Sequence, residues 1–291
     1  MLFIPNKTIG NYFSLIKFSH TIFALPFAII GYFLAIESSN KSFEPKLFLL
    51  IILSMIFARS SAMAFNRYID REIDKKNLRT SLREIPSGLI KSQSALFFVV
   101  INCFLFIVCT YFINKICFYL SPIALSVILG YSLTKRFTAL CHLILGVGLS
   151  LAPIGAYLAV TGEFNWLPLF FSFAVLFWVS GFDIIYALQD EEFDKSENLK
   201  SIPVWLGKRA AIMVSIIFHI ISASFIVFAG FYGHFSMSYW IGTLIFTGLL
   251  FYQHTLVKHN DLSKINIAFF TTNGIASIVF GLFVLIALLL K

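Results

Sequence analysis

Long apolar runs alternate with short polar segments along the whole chain. Nine of these runs, at approximately 19–37, 46–68, 93–113, 116–134, 138–161, 165–188, 211–231, 236–257 and 267–290, come close to or exceed the roughly 20 residues an α-helix needs to cross a bilayer. No periodicity of two survives over any comparable length, so the pattern predicts helices and no sheet. The polar segments fall into two alternating sets of loops. Two of them are longer and more charged than the rest: 69–92 (DREIDKKNLRTSLREIPSGLIK) and 189–210 (QDEEFDKSENLKSIPVWLGKRA). Both begin with acidic residues four apart, turn basic, and then contain Ile-Pro and Gly, which suggests that helices 1–4 and 5–8 of the predicted nine are related halves.

Composition makes a membrane the natural solvent. Of 291 residues, 59% are hydrophobic and only 12% charged, with a mean hydropathy of +0.88, too apolar for a domain with a solvated surface. About 17 of the 22 Lys and Arg residues lie in the N-terminal arm and in the loops after predicted helices 2, 4, 6 and 8, which by the positive-inside rule places the N terminus in the cytoplasm and the C terminus outside. The net charge of +8 is then explained by juxtamembrane basic loops facing anionic lipid or a phosphorylated substrate, without nucleic acid. No cleaved signal is expected, because polar residues surround Lys7 and Lys17. The cysteines at 103, 109, 117 and 141 lack metal spacing and are assigned to packing. With no linker or soluble insertion, 1–291 reads as a single membrane-embedded domain whose Asp-rich loops lie near 66–92 and 183–210.

The candidate chemistry sits where predicted helices 2 and 6 end. Asn66, Asp70 and Asp74 follow one another at intervals of four, and Asp183, Asp190 and Asp194 at offsets of 7 and 11, so each set falls close to one helical face on the same side of the membrane. Taken alone, either set could be a solvated helix end. Two at equivalent positions point instead to hard cations, which take carboxylate oxygens, water and phosphate as ligands. Without cations, so many carboxylates would repel one another. Arg59, two turns before Asn66 and roughly 10 Å deeper, is an intramembrane charge that needs a partner. Asp183 and a substrate carboxylate or diphosphate are the two candidates. Lys135 and Arg136 can anchor a loop or bind phosphate.

The stretches NRYIDREID at 66–74, RTSLREIPSG at 79–88, YSLTKRFT at 131–138, and DIIYALQDEEFD with KSIPVWLG at 183–207 resemble the UbiA superfamily of intramembrane prenyltransferases, in particular its 4-hydroxybenzoate polyprenyltransferase type. The resemblance covers nearly the whole chain. It implies an all-α fold of about nine transmembrane helices surrounding a central cavity open to the cytoplasmic side of a bacterial inner membrane. It also implies two Mg2+ ions, held by Asn66, Asp70 and Asp74 on one side and by Asp190 and Asp194 on the other, bridging a polyprenyl diphosphate. Arg71 and Arg136 match family arginines that hold the diphosphate, and Tyr131, Lys135, Asp183 and Tyr186 stand at matching substrate-site positions. The chain departs from the pattern at Arg67, where many relatives have Asp after the Asn, so no extra metal-ligand role is expected there.

The implied reaction moves a polyprenyl group onto a ring carbon of a small aromatic acid, 4-hydroxybenzoate first and a dihydroxynaphthoate second, in ubiquinone or menaquinone synthesis. Arg59 is the candidate for the acceptor's carboxylate. No protein partner is implied. An ion-coupled transporter would use similar residues, but would place them at the bilayer midplane and not at helix ends. A CDP-alcohol phosphotransferase would carry an Asp-Gly-rich signature that this sequence lacks.

Overall fold

The computed structural model describes residues 7–17 and 23–290, with the backbone alone for residues 7–9. In chain order these residues form α1 (Lys7–Leu15), α2 (Leu25–Ser39), α3 (Pro45–Ile69), α4 (Arg71–Lys76), α5 (Ser92–Ile113), α6 (Lys115–Thr134), α7 (Cys141–Thr161), α8 (Trp166–Ala187), α9 (Glu191–Ser196), α10 (Ile202–Tyr232), α11 (Met237–Leu256) and α12 (Asn273–Leu289). No strand is present among them; the β-type pairing is a single bridge between Lys258 and Asp261. Each of the nine predicted runs contains one long helix. Of these, seven are long and apolar enough to cross a membrane by length and composition, α2, at 15 residues, is shorter, and α11 is long enough but less apolar. The start of the first predicted run, at 19–22, and Lys291 lie outside the described residues.

The polar segments hold more helix than their hydropathy suggests. The stretch 189–210 reads as loop, but α9 occupies its first part and α10 begins at Ile202, well ahead of the predicted 211. Ser201 caps that start by accepting a hydrogen bond from the Val204 amide, and Pro203 sits in the first turn. Gly207, at φ 78°, then bends the helix where a residue with a side chain would be strained. The apolar periodicity registers only the part of the helix beyond this bend. Likewise α1 is too short to predict from hydropathy, yet its Leu15 is fully buried against Ala64, Ile85, Ile90, Ala95 and Val99, tying the N-terminal arm to the first acidic loop.

The long helices range from those that are mostly exposed on the flanks of the bundle to those that the others largely enclose. In α8, 61% of the most apolar stretch is buried, against 17% in α6, so α8 is the hub of the bundle. Its Trp178 is fully buried, packs against Phe27, Phe182 and Phe246, and donates its indole N–H to Asn273 at 2.8 Å. On α5, Phe97, Val100, Phe104 and Tyr111 face outward, as lipid contacts require.

Glycines set the closest approaches between helices. A Cβ added to Gly31 of α2 would stand 2.1 Å from the Pro153 carbonyl oxygen of α7. Gly31→Ala is therefore expected to separate α2 from α7 and to cost about 3 kcal/mol or more. Gly155→Ala on α7, which meets nothing within 4 Å, should leave the thermal unfolding of the detergent-solubilised protein unchanged. Equal melting temperatures for the two variants would refute this account of the packing.

Candidate active site

Both acidic clusters form at the same local event, a helix that turns at its first aspartate into a six-residue helix. α3 ends at Ile69, Asp70 adopts φ −89°, ψ 3°, and α4 follows. α8 ends at Ala187, a short 3-10 turn spans Leu188–Asp190, Asp190 adopts φ −102°, ψ 2°, and α9 follows. Both aspartates thus occupy the sparsely populated bridge region, where functional residues are often found. The near-helical path continues through the first bend, with the Asp70 amide bonding to the Asn66 carbonyl and the Asp74 amide to the Asp70 carbonyl.

The carboxylates are not left to repel one another. Asp70, 2% exposed, receives Arg136 on Oδ1 and Lys135 on Oδ2, both at 2.8 Å, and the Asn66 amide lies 3.4 Å from Oδ2. Asp74 is also buried and accepts from Arg83 Nη1 on both oxygens at 2.8 Å. Asp190 is gripped from across the bundle by the first cluster's own loop. Arg79 donates to it through Nε at 3.0 Å and through Nη2, while Asn77 donates at 3.2 Å. Lys76 and Glu197 add an exposed pair between the same two segments at 2.7 Å. Lys135 connects the sets a second time, since it bonds to Asp70 and its charge also acts on Asp194. The ends of α3 and α8 therefore face one another, closed by cations.

Several of the predicted residues are engaged with protein partners in this structure. Tyr186 supports Arg79, accepting from Nη1 at 2.9 Å under a guanidinium 5.2 Å from its ring centre. Burial alone would lower the pKa of Arg79, but its bonds to Asp190 and Tyr186 more than offset this and raise it. Arg71 turns toward Tyr68, donating to its carbonyl at 2.7 Å and lying over its ring. Asp183 pairs with His142, not with Arg59: the two side chains are 2.7 Å apart. Because His142 Nε2 accepts the Ile202 amide, the ring proton belongs on Nδ1, where it is donated to Asp183. The proposed internal partner of Arg59 is thus already engaged. Among the described residues Arg59 makes no ion pair, and its buried Nε has no hydrogen-bond partner. Tyr131 is the ionisable neighbour whose electrostatic influence it feels.

Sequence reasoning passed over Arg79, Arg83 and His142. The first two carried a signal, since they are four apart, as Asp70 and Asp74 are, and lie in a stretch that the family resemblance had marked. His142 carried none. A clear cavity also lies away from the acidic end. It measures about 670 Å3 and is lined by Tyr32, Lys41, Asn114 and Thr161 among others, at the opposite ends of α2, α5 and α7.

The donor set at the acidic end is made of carboxylate and amide oxygens, the ligands that hard divalent cations prefer. No group of three or more His, Cys, Asp or Glu side chains is gathered tightly enough among the described residues to enclose a metal unaided. A divalent ion there would be held by one or two of these carboxylates and completed by oxygens of a bound ligand.

A helical bundle with lipid-facing flanks and two facing acid–base clusters at one end defines an integral membrane protein with a charged site at one end of its bundle. Residues 24–288 match the UbiA prenyltransferase family. The chain is 30% identical over 241 residues to the 4-hydroxybenzoate octaprenyltransferase of Nitrosomonas europaea, covering 82% of this chain and 81% of that one. It is 27% identical over 234 residues to that of Tolumonas auensis, covering 80% and 82%. The apo structure of a UbiA homolog from Aeropyrum pernix K1 superposes with a TM-score of 0.82 at 27% identity, over 92% of this chain and 97% of that one. A UbiA homolog from Archaeoglobus fulgidus bound to DMAPP and Mg2+ shares the fold with a TM-score of 0.72 at 20% identity, over 97% and 100%. The chain belongs to the UbiA prenyltransferase family, as an enzyme of the aromatic prenyltransferase type.

Proposed function

We propose that this enzyme transfers a polyprenyl group from polyprenyl diphosphate to a ring carbon of 4-hydroxybenzoate, in ubiquinone synthesis and in a single domain of a bacterial inner membrane with its N terminus cytoplasmic. The observation that carries the reading is the clamp of Arg79 and Asn77 on Asp190, which draws two acidic clusters into one site. The names of the bacterial relatives support the acceptor, and the DMAPP and Mg2+ bound to the archaeal homolog support the donor and the metal. A dihydroxynaphthoate, as in menaquinone synthesis, is the second acceptor that Arg59 suits, since it offers the same carboxylate beside an electron-rich ring.

The residues suggest a division of labour. Asn66, Asp70, Asp74, Asp190 and Asp194 would hold two Mg2+ ions, whose chemistry is to neutralise the charge that builds on the departing diphosphate. Lys135, Arg136 and Arg83, freed from Asp70 and Asp74, would hold the diphosphate oxygens. Arg59, deeper in the bundle, would orient the acceptor through its carboxylate beside Tyr131. The enclosing apolar helices would keep water from the allylic cation until the ring attacks it. Once the ring carbon has bonded to the allylic carbon, the ring proton leaves to a nearby base or to water and aromaticity returns.

Incubating the purified enzyme with radiolabelled prenyl diphosphate and a panel of aromatic acids tests the reading. Labelled product should form with 4-hydroxybenzoate in Mg2+ and should disappear in EDTA. Product formed equally well in EDTA, or none with any carboxylated phenol or naphthol, would refute it.

A further inference from the structure

The cation with most unused bonding capacity at the acidic end is one the proposed reaction does not employ. Arg67, on the last turn of α3, is 5% exposed, and both its Nε and its Nη1 are buried without a hydrogen-bond partner. A guanidinium withdrawn from water and left unpaired is expensive, so a buried one usually has an anion to receive. The charged and titratable groups that act on it are Arg83, Asp74, Glu84 and Tyr131. None of these supplies the missing bonds. Arg83 already engages both oxygens of Asp74; Ser14 bonds to Glu84 Oε1, and Glu84 Oε2, though itself buried without a partner, makes no ion pair with Arg67.

Charge makes the same point. Around the first cluster Arg67, Arg83, Lys135 and Arg136 face Asp70 and Asp74, four cations against two carboxylates, and the cations still exceed the anions when Glu84 is counted. At the second cluster Asp190 and Asp194 face Arg79 and share Lys135, so the excess of cations lies on the first side. Arg67 also lies eight residues, or about 12 Å of helix, from Arg59. Two unpaired guanidinium groups at two depths suit two anionic groups, and Arg67 is at the depth of the carboxylates.

We propose that Arg67 binds the diphosphate of the donor directly, so that the first cluster engages this group through fixed guanidinium and ammonium groups before any divalent cation is present. This rests on the prenyl-diphosphate reading above. The planar fork of Arg67 presents its two unused nitrogens to phosphate oxygens as a bidentate donor. Its contribution is charge that needs no metal, and so is insensitive to chelation.

The test uses the full-length protein in detergent and inorganic pyrophosphate as probe, with binding read by calorimetry in EDTA and again in Mg2+. Wild type should bind pyrophosphate in EDTA. Arg67→Gln should weaken that binding at least tenfold, and Arg67→Lys should restore part of it. Wild type that binds only in Mg2+ would overturn the proposal and leave the prenyl-transfer reading standing, since that reading requires metal-dependent binding alone. No pyrophosphate binding under either condition would instead count against the reading itself. Unchanged binding in Arg67→Gln, with a lowered melting temperature, would assign Arg67 to neutralising Glu84 and also overturn the proposal. If Arg67→Gln does not fold, the wild-type comparison between EDTA and Mg2+ together with Arg67→Lys still decides.

Discussion

Asp190→Asn should leave a folded protein that has lost prenyl transfer, with kcat reduced by about 1000-fold or more, equivalent to about 4 kcal/mol of transition-state stabilisation. Asparagine keeps the shape of the side chain and an oxygen that can accept from Asn77 and Arg79, whose donors lie 3.2 and 3.0 Å from Oδ1. The contact between the two acidic segments thus survives in outline, and the exposed Lys76–Glu197 pair supports it independently. The negative charge does not survive, and with it goes the site's preference for a divalent cation on the side that carries fewer basic groups. Thermal unfolding measured beside single-turnover prenylation separates the two effects. A melting temperature within a few degrees of wild type alongside lost activity would locate the defect in the chemistry. Activity within tenfold of wild type would mean that Asp190 holds no metal and that the second cluster only braces Arg79.

How much could be read from the sequence depends on the range of the physics involved. Lipid solvates each helix separately, so the nine runs were legible as runs of apolar residues. The exceptions, α1 and the start of α10, are segments whose helicity depends on a local cap or on burial of one residue such as Leu15. The two acidic clusters were legible because spacing along a helix is a local property. Their mutual approach was not, because it depends on Arg79 and Asn77 reaching across to Asp190 from more than a hundred residues away. For the same reason Arg59 had two candidate partners in the sequence. Only the fold, by placing His142 against Asp183, leaves that guanidinium available for a ligand. The likeness of the two acidic segments lay between these cases: their composition was visible, but the shared bend at Asp70 and Asp190 is a backbone feature that no residue type announces.

The availability of Arg59 gives the second large prediction. Arg59→Ala should raise the apparent KM for the aromatic acid by about 100-fold, in line with about 3 kcal/mol for a buried guanidinium–carboxylate contact. The KM for prenyl diphosphate should change by less than about threefold, because the diphosphate site proposed above, with Lys135 and Arg136, is about 10 Å nearer the end of the helix. If Arg59 grips reactant and transition state alike, kcat changes little. A phenol of the same size without the carboxylate should react slowly in both proteins and at similar rates, since it never used the contact. Stability adds a readout that a structural ion pair would reverse. Breaking an internal pair leaves an uncompensated charge and destabilises, whereas removing a guanidinium that has no protein partner takes an unpaired charge out of the bundle and should hold or raise the melting temperature. A fall of several degrees, with both KM values unchanged, would mean that Arg59 serves the fold. A rise in the KM for the donor alone would move it to the diphosphate.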